Sequence, residues 1–331
     1  MEVPFPELTR LSLTSNGETM PVIPDSFLDG SAPRLKFFLL SGIPFPGLPK
    51  LLLSATHLVS LRLSNIPHLG YISPEAIVAL ISLLFSLELL VVEFESPQSC
   101  PDRETRRPPP SKRSVIPALT ILQFKGVTEY LEDLVTGIDA PQLDKMFIIF
   151  FNQIDFDTPR LARFVNRTPN LGKREATVLF ADDFARITAS GNLWIVILCK
   201  EPDWQLSSIE QICNSSLHSL STVEVLYIAH EYSELVWKDD AVENALWSQL
   251  LLPFIAVKNL YLSKESAPGV AAALQELVGD RITEVFFSLQ SIFVKGLEPS
   301  GPFRENIGQL VAARQLSDHP IAISVWEIDD D

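Results

Sequence analysis

One six-residue pattern, here called a hexad, recurs along the chain with apolar residues at its first, fourth and sixth positions. Six copies begin in the first half of the sequence, at Leu8, Leu35, Leu58, Leu87, Leu119 and Leu143. Four more begin at Leu193, Val223, Val257 and Ile282. Most copies start about 23 to 34 residues after the previous one. Self-similarity at this spacing is typical of proteins built from stacked supersecondary units.

The residues between the hexads are suited to helices, for example those that follow Pro74, Ser207 and Ala267. A short strand followed by a helix or turn, repeated at this spacing, indicates leucine-rich repeats. We therefore predict an α/β fold, an irregular leucine-rich-repeat solenoid or horseshoe with a curved parallel sheet inside and helices and turns outside. Because no single repeat can bury its own apolar face, residues 1–331 are expected to form one domain.

Two regions depart from the repeat. The pattern is interrupted after Leu143, where a strand-like segment from Glu175 to Phe180 precedes Leu193 and allows a local hairpin across residues 182–192. Residues 96–114 are rich in proline and basic residues and lack apolar periodicity, which predicts a flexible basic insertion. This insertion is interpreted as a tolerated surface loop, as a contact for an acidic partner, or as an acceptor of phosphate on its serines.

Composition excludes several classes of function. The 26 Lys and Arg residues against 41 Asp and Glu residues give a net charge of -15, which disfavours nucleic acid as a partner. The three cysteines are widely spaced and the N-terminus lacks the features of a signal peptide, so we expect an intracellular protein of the cytoplasm or nucleus. The most apolar stretch, residues 76–92, is too short to cross a membrane, so no membrane association is expected.

Sequence signatures of catalysis and of metal binding are missing. The chain has no Gly-rich phosphate loop, no HExxH pair, no GxSxG elbow and no CxxC motif, and its five histidines have no spacing that converges on a metal. We therefore predict no catalytic residues, no metal site and no cofactor. An enzyme built on a repeat scaffold is kept as the third alternative for the function.

Many hexad residues that should face away from the core are apolar. The positions that a parallel strand presents on the concave side of a solenoid are expected to carry Phe37, Leu39, Leu89, Val91, Phe147, Ile149, Tyr227, Tyr261 and Phe286. One interpretation is an apolar strip that binds a protein partner of unknown identity. The alternative is that a loop or tail of the chain covers the strip.

Four segments of the C-terminal half carry a family resemblance. They are EPDWQLSSIEQICNSSL from Glu201, PFIAVKNLYLSKE from Pro253, APGVAAALQELVG from Ala267 and VAARQLSDHPIAIS from Val311. These segments resemble the repeat region of F-box-like leucine-rich-repeat proteins of basidiomycete fungi. The resemblance implies an adaptor, in which an F-box docks on a ubiquitin-ligase scaffold while the repeats hold a substrate.

The chain departs from that family before its first hexad. Met1 lies only seven residues ahead of Leu8, which leaves no room for an F-box, so binding to the ligase adaptor subunit is not expected. The leading hypothesis is therefore a non-catalytic protein-binding module of adaptor type. The alternative is the substrate-recognition part of an F-box-type ubiquitin-ligase receptor whose F-box is missing here.

Overall fold

The computed structural model describes residues 7–15, 22–24, 27–45, 48–97, 113–171, 174–216, 218–231, 241–276, 286–296 and 320–326, with shorter pieces between 303 and 315. They belong to two compact units: Met1–Gln153 with Thr158–Leu171 is unit 1, and Ile154–Asp157 with Gly172–Asp331 is unit 2. Most of the predicted basic insertion, residues 98–112, lies outside the described residues. That residues 1–331 form one domain stays a prediction.

Every predicted hexad of unit 1 forms a strand of one parallel sheet, which confirms the α/β leucine-rich-repeat fold. The strands are, in spatial order, β1 (Arg10–Thr14), β2 (Phe37–Ser41), β3 (Ser60–Ile66), β4 (Leu89–Phe94), β6 (Ile121–Gly126) and β8 (Lys145–Phe150). Two short strands, β5 (Ser114–Val115) and β7 (Ile138–Asp139), form a separate parallel pair.

Side chains of these strands alternate between a buried face and a more exposed face. In the hexad from Leu58 the first, fourth and sixth residues, Leu58, Leu61 and Leu63, are fully buried. The hexads from Leu35, Leu87, Leu119 and Leu143 repeat this burial. Because burying one such side chain stabilises a fold by roughly 1.5 to 3 kcal/mol, the stacked hexads supply the core of unit 1.

A turn before each strand adds a core residue that the hexad does not include. The backbone N–H of Leu58 donates to the carbonyl of Ala55 at 3.0 Å, and that of Leu87 donates to Leu84 at 3.0 Å. The residue that accepts this bond in unit 1 is buried in each repeat after the first: Ala32, Ala55, Leu84, Ile116 and Ala140. The structural repeat therefore begins three residues before the hexad.

Four helices lie in the described part of unit 1, and each contacts the next along the chain. They are α1 (Leu48–Ser54), α2 (Pro74–Ile81), α3 (Thr128–Gly137) and α4 (Pro159–Arg167). The predicted helix from Pro74 is confirmed. Its start is capped by Ser73, whose hydroxyl accepts a hydrogen bond from the backbone N–H of Ala76 at 3.2 Å.

A pair of charged side chains joins α3 to α4. The buried Glu132 carboxylate of α3 accepts hydrogen bonds from the backbone N–H groups of Arg160 at 3.0 Å and Leu161 at 2.7 Å. In the opposite direction, the guanidinium of Arg167 donates to the carbonyl of Ile138, just after α3, at 2.8 Å. Backbone groups at helix ends lack partners within their own helix. Glu132 of α3 therefore supplies partners for N–H groups at the start of α4, and Arg167 of α4 supplies one for a carbonyl at the end of α3.

The described residues of unit 2 form a mixed sheet. Its strands are, in spatial order, β11 (Leu193–Leu198), β10 (Phe184–Ala189), β9 (Glu175–Phe180), β12 (Val225–His230), β13 (Asn259–Leu262), β14 (Ser291–Lys295) and β15 (Ala322–Trp326). From β9 to β15 neighbouring strands are parallel. The helices are α5 (Pro202–Ser216), α6 (Ala241–Leu251) and α7 (Ala267–Glu276).

Strands β9, β10 and β11 break the parallel pattern, because each pairs with the next in antiparallel order. The single hairpin expected across residues 182–192 is replaced by a three-stranded antiparallel segment, because residues 184–189 form a strand, β10, that the hexad pattern does not predict and that pairs with both β9 and β11. The turn between β10 and β11 holds Ser190 and Gly191 at φ 45° and 72°, a region that glycine adopts without steric cost.

The antiparallel pairing also reverses the orientation of the hexad from Leu193. Its first, third and fifth residues are the buried ones, whereas its fourth and sixth residues, Val196 and Leu198, are half-buried on the opposite face. The prediction that Val196 and Leu198 fill the core is therefore wrong. Because β11 follows β10 in antiparallel order, the spacing of the parallel hexads does not determine which of its faces is buried.

The last predicted hexad, from Ile282, is displaced from the strand that the structure shows. Residues 277–285 lie outside the described residues, and β14 begins at Ser291. The backbone N–H of Leu289 donates to the carbonyl of Phe286 at 3.0 Å, which is the turn that precedes the other strands. The hexad of this repeat is therefore Leu289–Val294, with Phe286 at the buried turn position.

Candidate functional site

The more exposed face of the parallel sheet in unit 1, here called the strand face, presents alternate residues of each strand. In β6 these residues are Ile121, Gln123 and Lys125, all half-buried, and each is followed by a buried residue. Register places the alternate residues of adjacent strands side by side, so Leu39, Arg62, Gln123 and Phe147 lie in one row across the sheet, with Val91 between Arg62 and Gln123. The strand face is thus continuous across six strands.

The structure places the predicted apolar residues of unit 1 on this strand face. Phe37 is 39% exposed. Half-buried positions are taken by Leu39, Leu89, Phe147 and Ile149. Val91 departs from the prediction of an exposed strip, because it is only 3% exposed in the row between Arg62 and Gln123. The strip is therefore half-buried in some places and buried at Val91.

Basic residues share the strand face of unit 1, and the sequence reasoning missed them. Arg10, Arg62, Lys125 and Lys145 occupy its alternate positions on β1, β3, β6 and β8. Glu93 is the acidic residue of the same face, and its carboxylate accepts a hydrogen bond from Gln123 at 2.6 Å. The signal was available, because Arg10 and Lys145 are third and Arg62 is fifth in their hexads.

A cleft of about 460 Å³ opens at the β1 end of the strand face. Arg10 and Arg62 line it together with the apolar side chains of Phe37, Leu39 and Leu89. The guanidinium carbon of Arg10 lies 4.7 Å from the centre of the Phe37 ring, a cation–π contact. The cleft therefore combines cationic groups with apolar surface.

In unit 2 the corresponding positions carry a ladder of aromatic rings. Tyr227 and Tyr261 are directly opposite in register, and their ring centres are 4.6 Å apart. Tyr261 stacks in turn on Phe293 at 4.5 Å, and Trp326 meets Tyr261 edge-on at 5.3 Å. Burial, together with the nearby Tyr261 and Glu175, raises the pKa of Tyr227. The four rings are half-buried and contact one another along the sheet.

Phe286, which was predicted to lie on the concave strip, is not on the sheet. It is 1% exposed and occupies the turn before β14, with φ 51°. The buried guanidinium of Arg314 donates to its carbonyl at 2.9 Å. Phe293 lies beside Tyr261 and is the aromatic residue of this repeat on the sheet. The sequence pattern did not identify it, because the predicted hexad began at Ile282.

The described residues include neither a group of metal ligands nor a helix that could span a membrane. In that part of the chain no three His, Cys, Asp or Glu side chains form a group suited to a metal ion. No helix there has the length and apolar character needed to span a bilayer. Cys199 and Cys213 are free thiols, and burial raises the pKa of both.

Comparison with known proteins finds similarity at the level of structure. No protein-family model matches the chain, and no curated protein matches it. Among solved structures, it is similar to the leucine-rich repeat-containing protein LegL7 from Legionella pneumophila, at 14% sequence identity and a TM-score of 0.36. That alignment covers 92% of this chain and 90% of the other.

Proposed function

We propose that this chain is a non-catalytic protein-binding module of adaptor type, and that the strand face of unit 1 binds the partner. One observation carries the proposal. Half-buried apolar side chains of four strands lie in rows across the strand face, beside basic side chains. A sheet needs neither kind of side chain on its open face for stability. Extended surfaces of this type are what repeat proteins use to bind macromolecules.

A matched pair of variants tests the proposed surface. The strand-face variant carries Phe37→Ser and Leu39→Ser, and the control carries Phe85→Ser and Leu53→Ser, which remove the same residue types from sites 66% and 56% exposed outside the strand face. Tagged chains are expressed in native cells, and the captured proteins are identified by mass spectrometry. We expect one set of proteins to be captured by the wild type and the control and lost from the strand-face variant.

Two results would contradict the proposal. Retention of the same proteins by the strand-face variant would show that the partner binds elsewhere. Equal loss from both variants would show that the proteins respond to exposed apolar surface in general. The unfolding midpoint of each purified variant is measured alongside, so that loss of capture is not mistaken for loss of folding.

The second candidate function is the substrate-recognition part of an F-box-type ubiquitin-ligase receptor. It is favoured by the segments from Glu201, Pro253, Ala267 and Val311, which resemble the repeat region of F-box-like proteins. A pull-down with the purified ligase adaptor subunit tests it. Stoichiometric binding would place this function first, whereas its absence would leave the adaptor without a ligase role.

A further inference from the structure

Within the described residues, the two arginines of the unit 1 cleft make no ion pair, although the protein is strongly acidic. The chain has a net charge of -15, and three other arginines of unit 1 are paired: Arg34 with Glu7, Arg160 with Asp133 and Arg167 with Asp139. In the described part of the chain, by contrast, Arg10 and Arg62 make no ion pair. Both are exposed, so an anion can reach them without displacing a carboxylate.

Strand register places Arg10 and Arg62 on either side of β2, in rows two residues apart along the strands. Arg10 is aligned with Phe37 on β2, and Leu39 on β2 is aligned with Arg62 on β3. Because neighbouring strands are roughly 4.8 Å apart, the backbones of β1 and β3 are about 10 Å apart. Phe37 and Leu39 form the floor between them. This width fits one side chain held between two cations and placed on an apolar base.

A carboxylate is the anion that matches this arrangement in a protein partner. A guanidinium presents several N–H donors in a planar fork, which suits two-pronged hydrogen bonds to a carboxylate. Stacking on Phe37 occupies one face of the Arg10 guanidinium but leaves its edge donors available. The hydroxyl of Ser60 also lines the cleft. Because apolar side chains line the cleft beside the arginines, a ligand that fills it needs an apolar group next to its carboxylate.

The cleft also contains one acidic residue. Glu88 is exposed and lines the cleft next to Leu89, on the side away from β1. Its charge repels a second carboxylate there, so it favours a ligand whose acidic group lies at the β1 side. The charge distribution therefore gives the ligand a direction.

We propose that the cleft between Arg10 and Arg62 binds an extended segment of a partner protein in which an Asp or Glu stands beside an apolar residue. The carboxylate lies between the two guanidinium groups, and the apolar side chain contacts Leu39 and Leu89. This inference rests on the proposed function and adds the chemistry of the partner. It requires a negative charge on the ligand, opposite to that of the two arginines.

Selection from a library of random short peptides on the purified full-length chain tests the inference. The cleft variant carries Arg10→Glu and Arg62→Glu. A control with the same change of net charge carries Arg163→Glu and Lys50→Glu, at exposed sites on α4 and α1. The wild type and the control should select peptides with Asp or Glu next to an apolar residue, and the cleft variant should not.

Affinity of one selected peptide then gives the magnitude. We expect its Kd to rise at least about tenfold in the cleft variant and to rise with salt concentration in the wild type. Glu88→Lys should lower the Kd of the same peptide, because it removes the repulsive charge. If the double reversal impairs folding, the single Arg62→Gln variant is used, for which a smaller rise in Kd is expected.

Several outcomes would overturn the inference. Selected peptides without an acidic bias, or an acidic bias that persists in the cleft variant, would show that the arginines do not recognise a carboxylate. If such peptides still lose binding in the variant with Phe37→Ser and Leu39→Ser, the proposed function stands and only the charge recognition fails. If no peptide is selected, and if Phe37→Ser and Leu39→Ser also leave native capture unchanged, both the charge recognition and the proposed function are contradicted.

Discussion

Burial at the residue scale follows the alternation of each parallel strand. Leu260 of β13 is fully buried, whereas Tyr261 beside it is half-buried and stacked between Tyr227 and Phe293. Adjacent residues thus stabilise the fold by different means. The leucine removes apolar area from water and fills the core, while the tyrosine contributes ring contacts on the open side of the sheet.

Substitutions at these two positions should therefore differ in cost. Leu260→Ala should lower the free energy of unfolding by about 2 to 5 kcal/mol through a cavity in the core. Tyr261→Ala should cost about 1 to 3 kcal/mol, from two stacked pairs worth about 0.5 to 1.5 kcal/mol each. Urea unfolding of both variants measures the difference. A larger cost for the tyrosine would show that the aromatic ladder is part of the core.

His230 at the end of β12 makes stability depend on pH. Its ring stacks on Phe180 at 5.3 Å, and its Nδ1 lies 3.3 Å from the hydroxyl of Ser263. Burial lowers the pKa of His230 from 6.5 to about 4, although the nearby Glu265 acts in the opposite direction. The folded protein therefore resists protonation of this ring.

Stability should consequently fall as the pH is lowered from about 6.5 to about 4. Between these values the unfolded chain binds a proton at His230 and the folded chain does not, which costs up to about 3 kcal/mol. Chemical unfolding of the wild type and of His230→Gln across this range measures the effect. Because other groups titrate in both proteins, the difference between the two curves isolates the histidine; curves that stay parallel would contradict the prediction.

At the element scale, the hydrogen bonds between α3 and α4 show how repeats are joined on the helical side of unit 1. Glu132 accepts from two backbone N–H groups at the start of α4, one with each carboxylate oxygen. A carboxylate is well suited to this position, because a helix N-terminus carries a partial positive charge. Glu132 is therefore one of the side chains that join the two helices, beside Arg167.

Glu132→Gln should destabilise unit 1 by about 1 to 3 kcal/mol, because the amide retains one acceptor and leaves one buried N–H without a partner. Glu95→Gln, at an exposed position after β4, is the control and should change stability by less than about 0.5 kcal/mol. Thermal unfolding of the three proteins provides the comparison. Equal midpoints for the two variants would show that the capping bonds contribute nothing.

At the scale of the whole molecule, the insertion at residues 96–114 tests whether the repeats continue across it. Its sequence predicts that trypsin cleaves first near residues 103–113. Strands β4 and β6, on either side of the insertion, pair directly in the sheet, with Leu90 aligned to Leu122. The two fragments should therefore co-elute on gel filtration after cleavage. Separate elution would contradict a continuous core, and earlier cleavage elsewhere would contradict the predicted insertion.

The hexad positions were predictable because they depend on local spacing alone. Nine of the ten predicted hexads coincide with strands of the structure, and the alternation of apolar residues identified the core of most of them. The apolar members of the strand face in unit 1 followed from the same alternation. The turn residue three positions before each hexad could also have been predicted from the sequence, since it is apolar in most repeats.

Only the tertiary structure decided which neighbour each strand takes and which side chains meet. The reversed orientation of β11 depends on its antiparallel pairing with β10, which periodicity within the hexad does not encode. Phe286 lies in the core because its turn precedes Leu289, and Arg10 and Arg62 line one cleft from the two sides of β2 because of strand register. Pairing and register arise from contacts between residues far apart in sequence, so the repeat and its core could be read from the chain, whereas the cleft required the assembled sheet.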